Sequence, residues 1–167
     1  MKFDVLIIGG GRGDAAAGLE VLSRGLTCAL ICPGRISGDS SREQFRLAGG
    51  VLLLSDFVKE VRWTSDGRVE GVYTQNLGST LLEADRFILC SGRFFSRGLV
   101  SDRDGVYEPV FRLDVRYEKD RSLWCSPDFF AVQPFEKFGV ETLDGKALKG
   151  GKTIENLYVI GEILGDE

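Results

Sequence analysis

The stretch that decides the fold is DVLIIGGGRGDAAAGLEVLSRGLTCALI, residues 4 to 31. Its first five residues are a near-continuous apolar run with β-branched members, the pattern of a strand buried on both faces of a parallel sheet. Gly9, Gly10, Gly11 and Gly13 follow at once. From Asp14 the segment DAAAGLEVLSRG predicts a helix with Ala15, Leu19 and Leu22 on one face, ending near Gly25. Residues 26 to 31 then predict a second strand. Strand, glycine turn, helix and strand within about 30 residues make a βαβ unit, whose right-handed crossover leaves the two strands parallel and adjacent.

A glycine turn between a buried strand and a helix is the setting of the dinucleotide fingerprint. There the first glycine permits the sharp turn, the second lets backbone reach a pyrophosphate, and the third allows helix and strand to pack closely. Gly9 and Gly11 occupy the first two positions and Asp14 the third, with Gly13 inside the turn. A carboxylate at that helix N-terminus would occupy or repel the phosphate site. The alternative register, Gly11, Gly13 and Ala16, sets the turn two residues too far from the strand. At the end of the second strand, where an acidic residue normally holds an adenosine ribose, the chain reads Cys32-Pro33-Gly34. Asp39, a few residues on, reads as a solvated loop residue.

Working outward, RISGDSSREQF predicts a loop leading into a short helix. A β-rich region follows, with turns at Ser65-Asp66-Gly67 and Asn76-Leu77-Gly78. Residues 57 to 63, 68 to 75 and 79 to 82 form a predicted antiparallel meander, and Phe87 to Cys90 a separate buried strand. Residues 93 to 138 read as a cap or irregular β segment, and Leu157 to Ile160 as the last apolar strand. Two strands thus end on a small residue and glycine, at Cys90-Ser91-Gly92 and at Ile160-Gly161-Glu162. There backbone can approach a ligand at the carboxyl edge of a parallel sheet. Glu162 reads either as an acceptor for a ribityl hydroxyl or as a capping carboxylate. Arg93, Arg97, Asp102, Arg103 and Asp104 read as an anion-binding group or, preferably, as a solvated charged loop.

Composition narrows the function classes. The chain has 167 residues, 43% hydrophobic and 28% charged, with 21 Lys+Arg against 25 Asp+Glu and a net charge of -4. That is the size and make-up of one domain, 1 to 167, and gives no reason to expect nucleic acid or an anionic membrane surface as partner. There are 22 glycines, roughly twice the usual share of ~7%. Histidine is absent, which removes imidazole bases, His-containing nucleophile triads and His metal ligands. Cys28, Cys32, Cys90 and Cys125 show no C-x-x-C spacing and read as buried small hydrophobes, so no metal or dithiol chemistry is expected. Phe129, Phe130, Phe135 and Phe138 read as core or as an interface between subunits. The apolar run at the start is too short for a signal peptide, and none approaches the ~18 residues of a membrane span. A cytoplasmic protein with reduced thiols and no direct membrane insertion is expected.

DVLIIGGG (4 to 11), ADRFILCSGRFFSRGL (84 to 99), YEPVFRLDV (107 to 115), DFFAVQPFEKFGV (128 to 140) and ENLYVIGEILG (155 to 165) together resemble the B-type flavoprotein subunit of anaerobic glycerol-3-phosphate dehydrogenase. That family lies within the glutathione-reductase-type Rossmann flavoproteins. The resemblance implies an α/β, Rossmann-like FAD/NAD(P)-binding domain, a parallel sheet with an antiparallel β-meander, and a substrate domain largely absent. Family members are more than twice as long. The resemblance places their central region between about Ser37 and Arg42 and a helix after Gly161-Glu162, neither of which this sequence contains.

The family's enzyme oxidises glycerol 3-phosphate to dihydroxyacetone phosphate and passes electrons towards quinone. The resemblance implies FMN or FAD as cofactor, the catalytic flavoprotein and iron-sulfur subunits of the same enzyme as partners, and a position peripheral to the inner membrane through them. Carried onto this chain, the flavin contacts are Gly9, Gly11, Ser91, Gly92, Gly161 and Glu162, with Val58 backbone meeting an adenine if the cofactor is FAD. Two functions follow: a flavin-binding oxidoreductase subunit that relays electrons, or a shortened, non-catalytic Rossmann module acting through a nucleotide or through contacts with other subunits.

Overall fold

The first strand, β1 (Lys2–Ile8), lies at the middle of the sheet because its residues alternate between two apolar surroundings. Leu6 and Ile8 face one core and Val5 and Ile7 the other. The computed structural model describes residues 1–34 and 40–165, so Asp39 and Ser37 lie outside the described residues. Helix α1 (Asp14–Ser23) and strand β2 (Cys28–Cys32) complete the βαβ unit, with β2 parallel to β1. The strand begins two residues later than expected because Thr27 is engaged by Asp4: its amide donates to the Asp4 carboxylate and its hydroxyl accepts from the Asp4 amide.

Helix α2 (Ser40–Leu47) leads into β3 (Val51–Leu54), which pairs parallel with β2 rather than joining the antiparallel region. Strands β4 (Val58–Trp63) and β5 (Val69–Thr74) form the hairpin. In place of the two strands expected at 79 to 82 and 87 to 90 there is one continuous strand, β6 (Leu82–Leu89), and residues 79 to 81 and Cys90 lie outside it. The polar pair Asp85-Arg86 suggests a break, but these residues sit where β6 changes partner along one edge. Its start pairs antiparallel with β5 and its end parallel with the last long strand, while β1 runs along the other edge.

Residues 93 to 138 contain the two-residue strands β7 (Val100–Ser101), β8 (Val106–Tyr107) and β9 (Val115–Arg116), with 3-10 turns at Arg121–Leu123 and Pro134–Lys137. Strand β10 (Gly139–Val140) pairs with β9. The segment adds Leu99, Val106, Phe111, Leu113 and Phe138 to the core that covers the meander side of the sheet. Strands β11 (Thr142–Leu143), β12 (Lys146–Lys149) and β13 (Lys152–Val159) follow, β13 starting well before the Leu157 expected. The path across the sheet is β11-β12-β13-β6-β1-β2-β3. From β1 the chain steps outward through β2 and β3 and then returns to β6 on the opposite side. The crevice between the carboxyl ends of β1 and β6 is therefore a topological switch point, where α/β sheets place ligands.

The opposite core is the helical one. Its α1 stripe is Ala15, Gly18 and Val21, with Leu19 and Leu22 only half-buried, a shift from the expected face. A Cβ at Gly18 would stand 2.6 Å from the Phe45 ring, so the glycine is what lets α2 press its one buried aromatic side chain onto α1. One sequence expectation fails at the surface, and another loses its core alternative for two residues. Cys125 is exposed, unlike Cys28, Cys32 and Cys90. Phe129 and Phe130 are 85% and 94% exposed, whereas Phe138 is in the core and Phe135 packs against it. The reason is local: the Gln133 side chain bonds the backbone of Ser126, Asp128 and Ala131, closing a loop whose apolar residues point outward.

Candidate functional site

Three glycine-bearing strand ends converge at the switch point. Gly9 amide donates to Ile31 carbonyl at 2.8 Å and Gly11 amide to Cys90 carbonyl at 3.0 Å, while Cys90 amide donates to Ile8 carbonyl at 2.8 Å. A Cβ on Gly11 would lie 2.6 Å from Gly92 N and 2.9 Å from Gly92 Cα, so backbone meets backbone there. Gly92 and Gly161 have φ of 73° and 86°, conformations that side-chain-bearing residues rarely hold. Gly161 sits close to Cys90 Sγ and to Arg12 carbonyl, which brings the β13 end to the same junction.

Two cavities open beside this junction. The first, of about 390 Å³, is lined by residues 10 to 16 with Ser41 and Arg42 and lies at the N-terminus of α1. Asp14 is buried in its wall, only 3% exposed. Its Oδ2 accepts from Gly10 amide at 3.0 Å and from Arg42 Nη2 at 3.0 Å, and Oδ1 accepts from Ala15 amide. The same Oδ2 lies where a Cβ of Gly9 would be, so the first glycine of the turn makes room for the carboxylate. Gly13 supplies the left-handed N-cap, with φ of 86°.

The second cavity, of about 300 Å³, extends from Gly9 past Ile31 and Pro33 to Val58 and Ser91. Ser91 is 7% exposed and its Oγ has no hydrogen-bond partner among the described residues. Sequence reasoning missed Asp56 and Ser96, which line the same cavity, and Arg97, read as an anion-binding or solvated loop residue, lines it too. Asp56 is buried at the end of β3, beside the end of β2; its amide donates to Cys32 carbonyl and its Oδ1 accepts from the Phe57 and Asn76 amides. An acidic side chain thus stands at this cavity although Cys32-Pro33-Gly34 supplies none. No local pattern marks Asp56, because its placement follows from β3 running parallel to β2.

Other expected residues serve the frame. Cys32 is fully buried, and Gly34 carbonyl accepts from Ser55 amide. Arg93 Nη1 donates to Glu136 carbonyl at 2.6 Å, tying the 91–97 turn to the second 3-10 turn. Glu162 is exposed and opens a 3-10 turn, Glu162–Leu164. Burial pushes the Cys90 thiol up to about 11, with the Asp14 charge adding to it, and burial alone pushes Cys28 up to about 12. Neither is a thiolate at neutral pH, which excludes them as nucleophiles. Among the described residues no group of three or more His, Cys, Asp and Glu could hold a metal, and no helix is long and apolar enough to cross a membrane.

Residues 31 to 166 match the model of the FAD binding domain family. The chain belongs to that family. The match starts at Ile31, and the glycine turn lies ahead of it. The chain is 40% identical over 125 residues to the B-type subunit of anaerobic glycerol-3-phosphate dehydrogenase from Yersinia pseudotuberculosis, covering 74% of this chain and 29% of that one. With the corresponding protein of Vibrio vulnificus it shares 34% identity over 166 residues, 92% of this chain and 38% of the relative. It is thus a homologue of these proteins that spans about a third of their length. Among solved structures, the FAD-dependent myxobacterial chondrochloren halogenase CndH superposes with a TM-score of 0.51 at 14% identity, over 70% of this chain and 40% of that one. That likeness supports the fold alone.

Proposed function

We propose that this chain holds the adenosine half of FAD in the cavity beneath Val58, as the nucleotide-binding part of a flavin oxidoreductase. The observation that carries the reading is the buried, unpartnered Ser91 hydroxyl in a cavity with apolar walls at the carboxyl edge of a parallel sheet. A buried hydroxyl without a partner costs about 1–3 kcal/mol, which a ligand's polar atom at that place would recover. Ile31, Pro33 and Val58 offer apolar contact to an adenine, and Asp56 an acceptor for a ribose hydroxyl. FMN has no adenosine, so of the two flavins this cavity favours FAD. When bound, FAD supplies a reversible two-electron acceptor; the chain's own residues bind and orient it.

Homology with the glycerol-3-phosphate dehydrogenase proteins extends the reading to the parent activity. The chain would serve in oxidising glycerol 3-phosphate, or in relaying its electrons towards quinone, beside the catalytic flavoprotein and iron-sulfur subunits of such an enzyme. Its place would be cytoplasmic, at the inner membrane through those partners. A second reading, a non-catalytic Rossmann module, draws on a specific feature: the glycine turn is already filled by Asp14 and Arg42.

Titration of the purified chain with FAD, followed by flavin fluorescence, tests the first reading. FAD is expected to bind, adenosine to displace it and FMN to compete poorly. Equal competition by FMN and none by adenosine would overturn the adenosine assignment. Silence with FAD, FMN, NAD and NADP would favour the second reading.

A further inference from the structure

We propose that Asp14 is a counter-anion built into the glycine turn, which a dinucleotide must displace before its diphosphate can seat. Asp14 thereby sets the preference between phosphate-free and diphosphate-bearing adenine ligands. The proposal rests on the adenosine site described above.

The groups that surround the Asp14 carboxylate are those that would receive a phosphate oxygen. They are a turn amide, Gly10 N–H at 3.0 Å, the N-terminal end of a ten-residue helix, and a guanidinium, Arg42 Nη2 at 3.0 Å. Arg12 lines the same cavity. With Asp14 in place, its carboxylate pairs with the Arg42 guanidinium, and a diphosphate meets a negative charge at the spot it would take. The pair is well shielded, with side-chain exposures of 13% for Arg42 and 4% for Asp14, so water screens it little. Gly9 links this end to the other: it borders the adenosine cavity and abuts Asp14 Oδ2. An adenosine can therefore bind without disturbing Asp14, while the phosphates attached to it cannot. Binding of a dinucleotide exchanges Arg42 from Asp14 to the diphosphate.

The test is calorimetric titration of adenosine, ADP and FAD into the parent chain and into Asp14→Gly and Asp14→Asn, without divalent metal. In Asp14→Gly, ADP and FAD are expected to bind about tenfold more tightly, equivalent to ~1.4 kcal/mol, with adenosine changed less than about twofold. Asp14→Asn keeps the shape and removes the charge, so it should shift ADP and FAD in the same direction and carries the test if the glycine variant does not fold. An unchanged ratio of ADP to adenosine affinity in the folded variants overturns the role of Asp14 and leaves the adenosine site standing. If adenosine, ADP and FAD bind to none of the three proteins, the adenosine site falls and this inference with it.

Discussion

Beneath Val58 the cleft offers an unpartnered buried hydroxyl and apolar walls, whereas a few ångströms away, at the N-terminus of α1, the amide of Gly10 and the guanidinium of Arg42 are already matched by Asp14. Both ends hang on the same glycine turn. The difference teaches that a Rossmann-type cleft is not one preorganised unit. Its adenosine end is shaped by strand packing, and its diphosphate end by whichever anion sits at the helix N-terminus.

The sharpest way to break this comparison is Gly11→Val, which strikes the junction that both ends share. Its side chain would meet backbone atoms of Gly92 and Cys90, which cannot swing aside. The cooperative unfolding transition in urea is expected to be lost, and a midpoint close to that of the parent would show that the junction is loose. Next in size, Arg42→Met strands the Asp14 carboxylate in a buried place and should cost about 3 kcal/mol at neutral pH. Adding Asp14→Asn should recover part of that loss; no recovery would mean that Arg42 stabilises by packing rather than charge.

Ser91→Ala probes the other end and should separate binding from stability. Adenosine affinity should fall about fivefold, the loss of one hydrogen bond of ~1 kcal/mol, while the melting temperature holds or rises because an unsatisfied hydroxyl is gone. A fall in stability without a change in affinity would show that the hydroxyl is satisfied within the protein. The smallest effect concerns the thiol beneath the turn. Peptide mapping after iodoacetamide at pH 8 should find Cys125 modified and Cys28 and Cys90 intact, since the latter are buried and titrate only near 12 and 11. Modification of Cys90 in the folded chain would mean that the turn opens in solution.

Much of the frame was legible in residues 4 to 31, because strand, turn and helix there are dictated by short-range rules of apolar run and glycine spacing. The single strand β6 was not, since its Asp85-Arg86 pair mimics a turn and only the change of partner from β5 to β13 explains it. Within the site, Gly9, Gly11, Ser91, Gly92 and Gly161 were legible as strand ends and do meet. Val58 entered through family resemblance, and it lines the cavity.

By itself the sequence determined the βαβ unit, the three glycine-bearing strand ends and the anomaly of a carboxylate at position 14, since each depends on neighbours a few residues away. Only the tertiary structure decided what answers that carboxylate and what completes the cavity. Arg42 reaches Asp14 from 28 residues away on a second helix, seated because Gly18 admits Phe45. Asp56 and Arg97 reach the same cavity from the end of β3 and from the turn after β6. Charge pairing and cavity walls are made by segments remote along the chain, and their meeting is a consequence of sheet order and packing rather than of any local pattern.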